Sequence, residues 1–72
     1  MKLSYYPETD SLYIDLIDRA SVESREVSAG IVLDYDAEGR VVGIDIDRAS
    51  STVDLAKLEL YAPHMAIERP VA

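Results

Sequence analysis

The chain has 72 residues, with 14 Asp and Glu against 7 Lys and Arg, a formal net charge of -7, and no Cys. A domain this short buries only ~60% of the surface its unfolded chain exposes, so one domain is the ceiling. Disulfides and zinc-thiolate clusters are excluded, self-association is the expected supplement, and the acidic balance argues against the phosphate backbone of nucleic acid as a partner.

Hydrophobic residues make up 49% of the chain and charged ones 29%, which suits a folded domain better than a disordered acidic tail. Five Tyr without Phe or Trp imply an aliphatic core. No run approaches the ~20 apolar residues of a membrane span, and the cytoplasm is the expected compartment. The charge divides at Asp47: Met1 to Asp47 hold 11 acids and 4 bases, whereas Arg48 to Ala72 hold 3 of each. The hydrophobic period changes there too, from two to helical spacing.

In chain order, Leu3 and Tyr5 alternate with polar residues, as do Leu12, Ile14 and Leu16, around the turn Pro7-Glu8-Thr9-Asp10. A four-residue loop there sets Leu3 opposite Ile14 and Tyr5 opposite Leu12. Val22 to Val27 reads as a short charged strand, its Glu23, Arg25 and Glu26 suiting an edge. A second hairpin carries Ile31, Leu33 and Tyr35 into Asp36-Ala37-Glu38-Gly39 and out through Val42, Ile44 and Ile46. Pairing Tyr35 with Arg40 sets Leu33 opposite Val42 and Ile31 opposite Ile44. A one-residue slip would turn apolar positions to solvent. Ser51-Thr52-Val53-Asp54 then offers a hydroxyl N-cap for a helix over residues 51–61, stopped by Pro63. Leu55, Leu58 and Ala62 form one stripe of that helix and Val53, Ala56 and Leu60 an adjoining one, wider than a single sheet face needs.

The expected fold is therefore α+β: an antiparallel β-meander of about five strands over residues 1–47, with one C-terminal helix packed on the sheet or on a second subunit. Residues 1–62 form the single domain, and 63–72 a C-terminal tail.

Of the motifs that carry chemistry, Asp34 to Asp45 matches the acid spacing of a calcium-binding EF-hand loop. Alternating strands flank it where that loop needs helices, and Asp45 stands where it needs a bidentate Glu, so no metal site is expected. The single His64 and the lack of Cys remove multi-His metal sites and thiol chemistry. No nucleophile elbow and no glycine-rich phosphate loop occurs, and no cofactor is expected. Asp15, Asp34 and Asp45 share the face opposite the apolar one. They suit either general acid–base work, if desolvated in a cleft, or a solvated, partner-binding surface. Tyr6 and Tyr13, on that same face, suit a protein interface or cross-strand aromatic pairing. Candidate partner-binding residues are thus Tyr6, Tyr13, Asp15, Asp34 and Asp45; candidate oligomer-interface residues are Val53, Ala56, Leu58 and Leu60.

Three ordered segments resemble one family: Tyr5-Tyr6-Pro7-Glu8-Thr9-Asp10-Ser11-Leu12-Tyr13-Ile14, then Glu23-Ser24-Arg25-Glu26-Val27, then Gly30-Ile31-Val32-Leu33-Asp34-Tyr35-Asp36 with Gly39-Arg40-Val41-Val42-Gly43-Ile44. The likeness is to the small bacterial YuzE-like family (DUF2283), a domain of unknown function, over roughly residues 2 to 50. It brings no catalytic residues. It implies an antitoxin-like role, since members resemble small partners of short proteins similar to RNA-cleaving toxins. The expectation is a non-enzymatic protein-binding module that pairs with itself as a homodimer and neutralises a small basic toxin-like partner. A homo-oligomeric structural protein is the alternative, and a carboxylate-dependent enzyme the third reading.

Overall fold

A computed structural model of the protein describes residues 1–62. Five strands, β1 (Lys2–Tyr6), β2 (Ser11–Asp15), β3 (Glu23–Ser28), β4 (Ile31–Tyr35) and β5 (Val41–Ile46), form one antiparallel sheet, followed by a single helical turn, α1 (Ala49–Thr52). No helix among the described residues is long and apolar enough to cross a membrane. The tail at 63–72, with Pro63 and His64, lies outside the described residues.

The first hairpin has the expected register, Leu3 opposite Ile14 and Tyr5 opposite Leu12. The sheet is not a meander. Its strand order is β1-β2-β5-β4-β3, so β5 returns to lie between β2 and β4, as in a Greek key. Side-chain chemistry accounts for the exchange. A meander would seat β3, exposed along its whole length and carrying Glu23, Arg25 and Glu26, in the middle of the sheet. β5 supplies Val42 and Ile46 to the core and takes the centre instead. β3 closes one edge, where charge and a bulge between Glu26 and Ser28 protect it.

The second hairpin differs from expectation by two residues: Leu33 pairs with Ile44 and Ile31 with Ile46. Asp36 is the cause at the loop. Its Oδ1 accepts the backbone N–H groups of Glu38 (3.0 Å) and Arg40 (2.9 Å), and its own N–H donates to the Arg40 carbonyl at 2.9 Å. The loop thereby closes one residue later than a four-residue turn. A bulge supplies the second residue, because Asp34 pairs with Gly43 while Tyr35 pairs with Val41. A shift of two preserves the faces, which is why the apolar pattern could not reveal it.

The expected helix over 51–61 is replaced by the short α1 and an irregular segment. α1 starts at Ala49, whose N–H donates to the Asp10 carbonyl at 2.8 Å, and it ends at Val53, which is extended at φ -129° and ψ 159°. Ser51 and Thr52 hydroxyls turn back onto the Arg48 carbonyl at 3.1 and 3.0 Å, a local bond that competes with helix propagation. Val53 packs against the buried cluster of Leu12, Ile46 and Ala49. Asp54, three residues beyond the expected N-cap Ser51, accepts the Ala56 N–H at 3.2 Å in a turn of its own. An isolated eleven-residue helix is marginal, and packing of Val53 on the sheet outweighs it. The protein is thus mostly β. The two helical stripes do not form, and Ala56, Leu58 and Leu60 are exposed.

Candidate functional site

One sheet face gathers the polar candidates. Gly43 on β5 pairs with Asp15 on β2 and with Asp34 on β4, while Asp45, two residues along β5, pairs with Tyr13 and Val32. With strands ~4.8 Å apart, the backbones of Asp15 and Asp34 lie ~10 Å apart on either side of Gly43, and Asp45 occupies the adjacent row. The paired positions of this face hold four acids, Asp15, Glu26, Asp34 and Asp45, and one base, Lys2, at the β1 border.

Tyr13 is the side chain that crosses the face. Its hydroxyl donates to Asp34 Oδ2 at 2.5 Å, and Ser24 on β3 donates to Asp34 Oδ1 at 2.6 Å. A polar chain therefore runs from β2 over β5 to β4 and β3. Only glycine permits it, because a Cβ at Gly43 would stand 2.1 Å from the Tyr13 hydroxyl and 2.7 Å from Cζ. The hydrogen bond to Asp34, helped by desolvation and nearby carboxylates, pushes the Tyr13 phenol up to about 12. The ring keeps its proton at neutral pH and acts as a donor, not a base. Burial raises the Asp45 carboxyl above its ordinary value, with the Asp47 and Asp34 charges adding to it.

Register thus brings together Tyr13, Asp15, Asp34 and Asp45. Tyr6 lies on the same face but apart, since it pairs with Ser11 on the β1 side while the Tyr13 ring turns toward β4. Cross-strand pairing of the two rings is replaced by the Tyr13–Asp34 bond. Ser24 was not visible as a member from sequence, sitting in a run of charge. Gly43 carried a signal, as a lone glycine inside a strand often marks a close approach.

Two other carboxylates hold the frame. Asp36 is buried, and besides the two loop amides it meets Arg40 Nε at 3.1 Å and Arg19 at 3.7 Å, so the β2–β3 connection is tied to the β4–β5 loop. Its oxygens bond within its own turn and to the two arginines. The Arg40 amide, more than its charge, holds the Asp36 carboxyl below the ordinary range against the opposing effect of burial. Asp10, in the left-handed region at φ 52°, accepts bonds from the Ser50 hydroxyl (2.6 Å), the Ser50 N–H (3.1 Å) and the Tyr5 hydroxyl (2.7 Å). These contacts, Ser50 first, lower its carboxyl as well. Asp10 thus joins the first turn to the start of α1 across forty residues of sequence.

Among the described residues the opposite face is apolar and open. Leu3, Tyr5, Leu12, Ile14 and Ile46 line a groove of about 470 Å³, walled on one side by Val53 to Leu58. Leu3 is 39% exposed and Tyr5 43%. The charges at its β3 border are Glu23 and Arg25, bonded to each other at 3.0 Å, with the Arg25 guanidinium 5.4 Å from the centre of the Tyr35 ring.

No curated protein and no solved structure matches the chain. A family model does match, over residues 2–50, which takes in all five strands and the first two residues of α1. The chain belongs to the family described as protein of unknown function (DUF2283).

Proposed function

We propose that the protein is a non-enzymatic binding module, antitoxin-like in role, that takes a small basic protein partner on the face carrying Asp15, Asp34 and Asp45. The observation that carries this reading is the segregation of charge. Four acids and one base occupy the paired positions of one face, and the three central acids cluster around Gly43. Such a patch steers basic partners and aligns them, with binding that weakens as salt rises. Two features favour binding over catalysis: Asp34 already accepts bonds from Tyr13 and Ser24, and the phenol at about 12 holds its proton. Asp15 and Asp45 are left to meet Lys or Arg side chains.

The test is gel filtration of the purified chain mixed with the protein encoded beside it. A salt-sensitive complex is expected, lost in Asp15→Lys and Asp45→Lys variants that keep their fold by circular dichroism. Asp34→Lys is a poorer probe, because it also removes the acceptor of Tyr13 and Ser24. Absence of a complex, or a complex indifferent to both substitutions, overturns the reading.

A further inference from the structure

We infer that a second copy of this chain covers the open apolar face, meeting it over β1, β2 and the groove walled by Val53 to Leu58. Among the described residues no large side chain is fully buried, and the buried apolar set is Leu12, Val42, Ile46 and Ala49. That is a small core for a chain without cysteine to cross-link it. Meanwhile Leu3, Tyr5, Leu55 and Leu58 stand 39%, 43%, 40% and 78% exposed around one groove. A contiguous apolar surface of this kind marks an interface.

Three observations select a second copy as its occupant. The shortage of burial belongs to the chain itself and exists whenever it folds, and an identical chain is the partner present at every such event. Charge permits it: the groove lining carries one acid and one base, Asp54 and Lys57, and the paired positions of this face one more of each, Glu23 and Arg25, bonded to each other, whereas Asp15, Asp34 and Asp45 point the other way. Two copies of net charge -7 can therefore meet with their acidic faces outward and apart. The borders differ as well. β3 is guarded by charge and a bulge, while β1 offers Leu3 and Tyr5 beside the groove. A two-fold pair over β1 and β2 buries the same patch on both subunits and leaves each acidic face open.

The experiment is sedimentation equilibrium of the full chain with thermal melts over a range of concentration. Wild type is expected at twice the 8.0 kDa chain mass, with a melting temperature that rises with concentration. Leu58→Glu, at a side chain 78% exposed within one chain, is expected to sediment at 8.0 kDa or to unfold, and either outcome supports the pairing. Leu3→Glu is expected to do the same. Val27→Glu on the β3 side and Asp45→Lys on the acidic face should retain the doubled mass, which separates this inference from partner binding. A wild-type mass of 8.0 kDa with a concentration-independent melt overturns it, as does a folded Leu58→Glu at the doubled mass.

Discussion

The Tyr13 hydroxyl reaches Asp34 by lying over Gly43, so a residue with no side chain in β5 decides whether β2 and β4 are joined on the polar face. The bond bridges strands that are not neighbours, and it is the largest cause of the rise of the Tyr13 phenol to about 12.

Gly43→Ala is therefore expected to destabilise the fold by about 1–3 kcal/mol, the usual range for overpacking, even though Ala ordinarily suits a strand better than Gly. In a Tyr13→Ala background the same substitution should become neutral or favourable. A double-mutant cycle by urea denaturation reads the difference, and equal effects in both backgrounds would show that the ring does not occupy that space.

Gly39 tests a different mechanism. Its φ is +80° and nothing approaches the position of a Cβ, so Gly39→Ala meets backbone strain without a clash. A loss of roughly 1–2 kcal/mol is expected, with an unchanged denaturant slope and the same value whether or not Tyr13 is present.

Raising the pH should weaken the protein through Tyr13. Its folded value, about 12, lies above the ordinary 10.0, so its contribution is complete below pH 10 and disappears as pH climbs toward 12. Tyr13→Phe should flatten that part of the stability profile and remove the latest-titrating phenol from the ultraviolet phenolate curve.

Lowering the pH acts through Asp10 and Asp36, whose carboxyls are held below the ordinary range by Ser50 and by the Arg40 amide. Their contribution is present above the unfolded value, about 3.9, and is lost as pH falls through the folded ones. Asp36→Asn should lower the melting temperature at neutral pH by on the order of 5 °C. Asp10→Asn should do so less, and each should blunt the acid transition followed by circular dichroism.

Asp45 carries the opposite sign. Burial raises its carboxyl, so the folded state favours the proton, and the stabilisation seen in acid is lost as pH rises through the folded value. Asp45→Asn should raise stability at neutral pH by roughly a few tenths of a kcal/mol, the scale of a solvent-screened charge. Urea midpoints at neutral and acidic pH check this, the gain vanishing in acid.

Alternation along each strand was legible in the sequence because it is local: Leu3, Leu12, Ile14, Leu33 and Ile44 declare their face by a period of two, as do Asp15, Asp34 and Asp45. The first hairpin register followed from one turn between two alternating runs. The segregation of acid from apolar surface, and the edge position of the charged β3, were available on the same grounds. By itself, then, the sequence determined which residues share a face.

Tertiary structure alone decided what those faces lie beside. Seating β5 next to β2 depends on competition among whole strands. The two-residue shift in the second hairpin depends on how Asp36 captures the Glu38 and Arg40 amides, and a period of two is blind to even shifts. The helix expected over 51–61 was lost for the same kind of reason: Asp10, forty residues away, sets where α1 begins, and the pocket of Leu12, Ile46 and Ala49 draws Val53 out of helical conformation. Local period is written residue by residue, whereas partner choice belongs to free-energy differences between distant segments that no single stretch contains.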